Sequence, residues 1–218
     1  MDEENAQVNP KEDLEALGNL QRSRFLADTL CESYTGKFEV PSISYAEIER
    51  ISLLNDTKVV LIDVRSSDEQ AISVVRGSIS VEQFERIYRC NTSSLEEAST
   101  NIVFVPYCTI GYRSGVFATK LISSGWKSAS GKIYTIYNGR GVVPWSYENL
   151  PLVKGFDDLT STTELHVFGD RWNVAHPAYQ AKTFTCCNKY KMYGLVGFIV
   201  IVIIMSFIIL AHVVGESM

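Results

Sequence analysis

No disulfide framework is written into this chain. Its five cysteines, Cys31, Cys90, Cys108, Cys186 and Cys187, are odd in number and scattered apart from one adjacent pair. That usage suits a reducing space around the main domain. No CxxC pair and no Cys/His cluster is present, so nothing points to a zinc or other metal site. Positive charge is in short supply: 20 Lys and Arg face 25 Asp and Glu, a formal net charge of −5, which gives no reason to expect nucleic-acid binding. Internal repeats and low-complexity tracts are missing. The acidic start, Met1-Asp2-Glu3-Glu4-Asn5, lacks the apolar run of a signal peptide.

What is present is ample apolar material, 46% of 218 residues, enough for one domain of ordinary size with additions. Residues 1–30 read as an acidic tail or short helix, with a weak amphipathic pattern from Asp13 to Leu30 that suits packing on the domain's edge. Ser44-Tyr45-Ala46-Glu47 has the form of a capping box and opens a predicted helix over 45–54. Lys58-Val59-Val60-Leu61-Ile62 is a short continuous apolar run, suited to a strand buried on both faces, and it ends in Asp63-Val64-Arg65. Helices alternate with strands from there on, which predicts α/β with a central parallel sheet. Asn138-Gly139-Arg140-Gly141 reads as a turn, followed by Val142-Val143-Pro144-Trp145 and a surface loop through Pro151. His166 and His176 read as surface or packing residues, and Trp126, Trp145 and Trp172 as core or edge packing.

The chemistry concentrates in one place. Asn101-Ile102-Val103-Phe104-Val105-Pro106 predicts a buried strand, and Val116-Phe117-Ala118-Thr119-Lys120-Leu121-Ile122 a helix. Between them lie Cys108, Thr109, Ile110, Gly111, Tyr112, Arg113 and Ser114. A cysteine is therefore expected at the C-terminal edge of a parallel sheet, where ligands of such sheets bind. It stands on a turn that opens a helix, where unpaired backbone N–H groups and the helix dipole favour a thiolate and an anion beside it. Gly111 permits a backbone twist that a residue with a Cβ resists, and Arg113 adds a permanent cation at the rim.

These motifs, together with Asp63-Val64-Arg65 and with Asn138-Gly139-Arg140-Gly141 before Trp145, resemble a rhodanese domain over roughly residues 40–155. The later stretch Glu164–Gly169 with Arg171-Trp172-Asn173 resembles an extension of some rhodanese-like proteins. The resemblance implies a domain at 31–160 followed by an extension and linker at 161–192. It implies transfer of sulfane sulfur through a Cys108 persulfide, without a cofactor, from a thiosulfate-like donor to a thiol or cyanide. In that reading Cys108 is the nucleophile, Asp63 takes the supporting acidic position, and Arg113 and Ser114 close the loop. Backbone N–H groups of residues 109–113 cradle the sulfur, so Thr109, Ile110, Gly111 and Tyr112 are substrate-binding. Two departures stand out: after Asp63-Val64-Arg65 only Gly77 of the usual segment is kept, and Arg140 interrupts the usual Gly-Gly turn. Four residues separate Cys108 from Arg113; related phosphatases and arsenate reductases of this fold have one more, a wider cradle for a tetrahedral oxyanion. Sulfur transfer is favoured over phosphoryl transfer on that ground. A non-enzymatic interaction or redox-sensing module on the same fold is the alternative.

From Tyr193 to Val214 no residue carries a formal charge, and 22 residues of helix run about 33 Å, enough to span a bilayer. Lys182, Lys189 and Lys191 precede this stretch and Glu216 follows it. A single-pass tail anchor over 193–214 is therefore expected, with the N-terminal domain facing the cytosol. Cys186 and Cys187 beside it suit palmitoylation and read equally well as two ordinary juxtamembrane cysteines.

Overall fold

The computed structural model describes residues 10–89, 101–125 and 134–183. The chain through Lys182 forms one compact unit, and residues 183–218 form another of which only Thr183 is described. The expected span at 193–214 thus lies outside the described residues. Among the described residues no helix is long and apolar enough to cross a membrane.

The first described element is a helix, α1 (Pro10–Thr35), of 26 residues, longer than the short helix expected. Its buried face carries Ala27, Cys31 and Thr35 at successive helical turns, while Phe25 and Leu26 point outward. Small residues bring a helix close to its neighbour but add little to a hydrophobicity pattern, which is why the pattern was weak. Strand β1 (Ser42–Ile43) leads to α2 (Tyr45–Ser52). The capping box forms as expected: Glu47 N–H donates to Ser44 Oγ at 3.2 Å, and Ser44 N–H donates to Glu47 Oε2 at 3.0 Å.

Next come β2 (Thr57–Asp63), the short helix α3 (Ser67–Gln70), β3 (Val74–Val75), β4 (Ile79–Ser80) and α4 (Val81–Phe84). After them lie β5 (Asn101–Tyr107), α5 (Tyr112–Ser123), β6 (Thr135–Ile136), β7 (Asn138–Gly139) and α6 (Val142–Trp145). Four strands form a sheet in the order β4-β2-β5-β6, and every neighbouring pair is parallel. Its centre is the β2–β5 ladder, in register from Thr57 opposite Asn101 to Asp63 opposite Tyr107.

Alternation along these strands feeds two cores. Leu61, Val103, Val105 and Tyr107 pack on one face with α1, α2 and α6 residues such as Ala27, Ile48, Val142 and Trp145. Val60, Ile62 and Phe104 pack on the other with Phe84, Ala118 and Leu121 of α4 and α5. Burying a side chain such as Phe104 contributes roughly 1.5–3 kcal/mol. Helices on both faces of a parallel sheet are the α/β arrangement expected from the alternating runs.

Residues 138–151 depart from the expected turn and surface loop. Asn138 and Gly139 pair in parallel with β1, and all four residues of α6 are buried. The reason is a pair of backbone bonds to the cysteine loop: Val142 N–H donates to Cys108 O at 2.9 Å and Val143 N–H to Thr109 O at 3.1 Å. The remaining strands, β8 (Leu152–Val153), β9 (Ser161–Thr162), β10 (Glu164–His166) and β11 (Gln180–Lys182), complete the unit. β3, β8 and β9 pair antiparallel, and β10 pairs with β11 in parallel.

Candidate active site

Strand β5 ends at Tyr107, and the next residue is Cys108, buried at 1% exposure. Gly111 caps α5 with φ +90°, a left-handed conformation that L side chains adopt rarely. A Cβ on Gly111 would overlap the Thr35 side chain of α1 and stand 3.3 Å from Arg140 O, so sterics and backbone both demand glycine. This twist turns the Gly111 N–H onto the sulfur, donating to Cys108 Sγ at 3.2 Å. The Ser114 hydroxyl lies 3.6 Å from Sγ and 3.1 Å from Gly139 O. With one proton for two acceptors, the nearer carbonyl oxygen is the stronger one, and Ser114 links the loop to β7 more than it serves the thiol.

Cys108 opens onto a pocket of about 180 Å³. Tyr34, Ile110, Tyr112, Phe168 and Trp172 give it apolar walls, and Thr109 and Arg113 also line it. Tyr34 and Tyr112 meet edge to face at 6.0 Å, as do Phe168 and Trp172 at 5.5 Å. Trp172 therefore has a place in the pocket wall beyond the packing role expected for it, and Tyr34 and Phe168 gave no sequence signal of one. The two lie 74 and 60 positions from Cys108, and only the folding of α1 and of the segment after β10 brings them to it.

Arg113 sits where the loop closes, with 36% of its side chain exposed. It does not stand alone. Its Nη1 donates to Glu69 Oε2 at 2.6 Å and its Nη2 to Glu69 Oε1 at 2.7 Å, a bidentate fork. Thr109 Oγ1 donates to Glu69 Oε1 at 3.2 Å, and Ser66 donates to Oε2 from its N–H at 3.0 Å and its hydroxyl at 2.9 Å. His166, fully buried, holds Nδ1 at 3.2 Å from Glu69 Oε1. Burial alone would raise the Glu69 carboxyl, but the Arg113 fork, His166 and Ser66 together hold it well below the usual carboxylate range. Burial likewise works against the Arg113 charge, and Glu69 more than offsets it, leaving the guanidinium above its ordinary value. Glu69 is the main site residue that reading the sequence missed. Its one signal was the Ser66-Ser67-Asp68-Glu69 capping pattern, which ties it to the start of α3.

Asp63 takes its hydrogen bonds elsewhere. It is fully buried and accepts from Arg65 Nε at 2.9 Å, Arg65 Nη2 at 2.6 Å and Tyr107 OH at 2.8 Å. Arg65 Nη2 also donates to Ser73 O at 2.7 Å, and the Tyr107 hydroxyl lies 2.9 Å from Ser78 Oγ. Burial pushes the Tyr107 phenol well above its usual value, with Asp63 adding to the effect. Among the described hydrogen bonds, none joins Asp63 to Cys108; it reaches the loop through Tyr107, the residue before the cysteine.

Cys31 lies behind the loop. Its Sγ donates to Arg140 O at 3.4 Å, and burial pushes its thiol up. His176 packs edge to face against Tyr147 and Tyr179. Among the described residues no group of His, Cys, Asp and Glu could hold a metal ion.

No family model matches the chain, and no curated protein matches it. Solved structures share a partial likeness with this chain, among them the following two. A thiosulfate sulfurtransferase from Pseudomonas aeruginosa is 16% identical with a TM-score of 0.40, covering 66% of this chain and 24% of that one. The BH2092 protein from Bacillus halodurans is 14% identical with a TM-score of 0.34, covering 56% of this chain and 80% of that one. This chain thus spans about a quarter of the sulfurtransferase it matches.

Proposed function

We propose that the chain is a rhodanese-like sulfurtransferase that carries sulfane sulfur on Cys108. The observation that carries this reading is the placement of one cysteine at the end of the central strand, receiving the Gly111 N–H at 3.2 Å, at the base of a small pocket. A thiosulfate-like donor places its terminal sulfur on the Cys108 thiolate. The bond between the donor's two sulfur atoms breaks, sulfite leaves with the electron pair, and a persulfide remains. A thiol or cyanide acceptor then takes the outer sulfur and regenerates the thiolate. Backbone N–H groups at the start of α5 stabilise the negative persulfide. No step needs a cofactor. The four-residue gap between Cys108 and Arg113 supports sulfur over phosphoryl transfer, since a tetrahedral oxyanion needs a wider turn. In this reading residues 193–214 anchor the protein to an intracellular membrane with Cys108 on the cytosolic side, supported by the uncharged stretch and the lysines before it.

The test is mass spectrometry of the full chain in detergent after exposure to thiosulfate. One added sulfur on the peptide containing Cys108 is expected, lost on adding cyanide and absent in Cys108→Ser. Turnover of thiosulfate and cyanide by Cys108→Ser at the wild-type rate would sink the assignment. Protease added to sealed vesicles tests the orientation, with digestion of the domain the expected result.

A further inference from the structure

The walls around Cys108 do not suit a small dianion. Five apolar or aromatic side chains line the pocket with Cys108, and the one cation among the lining residues, Arg113, is already paired in both arms with the Glu69 carboxylate. Phe168 further covers it, with the guanidinium carbon 5.9 Å from the ring centre. The lining side chains therefore carry little net positive charge, so the backbone N–H groups that serve the thiolate are left to meet a second negative charge as well, and an anion must leave water to enter. The space has the size of one ring: an apolar cavity of about 150 Å³ accepts benzene, and this pocket is about 180 Å³. Tyr34 and Tyr112 form one wall and Phe168 and Trp172 another, each pair meeting edge to face.

Resting on the sulfurtransferase reading, we infer that the donor site is built for a sulfane compound with a compact apolar or single-ring body and at most one negative charge, in preference to thiosulfate. Such a donor is a thiosulfonate, R–SO₂–S⁻, or an organic persulfide. With a thiosulfonate, the Cys108 thiolate bonds to the terminal sulfur. The bond from that sulfur to the sulfonyl sulfur breaks, and the sulfinate R–SO₂⁻ leaves with its electron pair. Cys108 keeps the persulfide, and no outside oxidant or reductant enters. The hydrocarbon group lies between the two aromatic walls, where its burial adds binding that thiosulfate cannot obtain.

The experiment compares loading of Cys108 by benzenethiosulfonate, methanethiosulfonate and thiosulfate, using the full chain in detergent. Each kcat/KM is divided by the donor's rate with free cysteine in solution, which removes intrinsic reactivity. The normalised values should fall in that order, by about tenfold between the two thiosulfonates, the effect of burying one small ring. Phe168→Ala, at a half-exposed wall residue, should shrink the advantage of the benzene compound mainly through KM. Glu69→Gln should raise thiosulfate relative to methanethiosulfonate, because Arg113 then meets the donor with its charge unopposed. If thiosulfate equals or exceeds methanethiosulfonate in the wild type, the charge argument is overturned. If the ring adds nothing, the wall argument is overturned. In both cases persulfide on Cys108 would leave the sulfurtransferase reading standing. If none of the three donors loads Cys108, both readings fall together.

Discussion

Two carboxylate–arginine pairs stand at the same edge of the central sheet, and they differ in what surrounds them. Asp63 and Arg65 lie two residues apart on the chain and are closed off completely, with neither side chain exposed. Glu69 and Arg113 come from positions 44 apart; the acid is buried and the arginine is one-third exposed to the pocket. The first pair braces the strand end: Arg65 reaches Ser73 O, and Asp63 holds the hydroxyl of Tyr107. The second pairs the rim arginine in both arms, so the rim presents a neutral fork rather than a free cation. Similar chemistry thus becomes framework in one place and, under the donor proposal, specificity in the other, and access to solvent makes the difference.

The comparison predicts its largest effect at Asp63. Asp63→Ala leaves Arg65 charged in the core, and breaking a buried pair by removing one partner costs about 3–5 kcal/mol. Denaturant unfolding should show that loss. A change below about 1 kcal/mol would mean that Arg65 finds water or another partner, and the framework role would fail.

Arg113→Ala should cost less, about 1–2 kcal/mol, since the arginine is partly solvated and Ser66, Thr109 and His166 still face Glu69. Its kinetic signature sharpens the contrast. An unopposed Glu69 charge should raise KM for thiosulfate more than for a singly charged donor. Equal KM values before and after would show that the fork plays no part in donor choice.

The acid response separates the pairs further. Glu69 is depressed in the folded protein relative to its ordinary value of 4.5, because burial is outweighed by Arg113, His166 and Ser66. Its contribution is present in full above that ordinary value and is lost as pH falls toward the lower folded value. Glu69→Gln should therefore flatten the dependence of unfolding free energy on pH below about 4.5. An unchanged acid limb would assign that dependence to other carboxylates.

The smallest effect belongs to Ser114→Ala. Its hydroxyl favours Gly139 O over the sulfur, so the loss should stay under about 1 kcal/mol, with activity reduced a few-fold at most. Loss of persulfide formation in Ser114→Ala would show instead that the hydroxyl acts on Cys108.

Several elements were legible because local chemistry specified them. Ser44 and Glu47 cap a helix within four residues, and the apolar runs at 59–62 and 102–105 need burial on both faces wherever they lie. Cys108 with Gly111 was legible for the same reason, since a left-handed glycine between strand and helix is a property of the loop itself. Residues 142–145 were less so, because their buried position depends on bonds to Cys108 O and Thr109 O. Helix α1 was faint because its buried positions, among the described residues, are Ala27, Cys31 and Thr35, which a hydrophobicity pattern hardly registers.

By itself, then, the chain's sequence determined a parallel α/β sheet and the strand–turn–helix that carries Cys108, since alternation, capping and a glycine twist act over a few neighbouring residues. Tertiary structure alone decided what surrounds the thiol. Glu69 reaches Arg113 across 44 positions, and Tyr34, Phe168 and Trp172 converge from opposite ends of the fold. Charge neutralisation and pocket shape are sums over contacts distant in the chain, and no local pattern encodes such a sum.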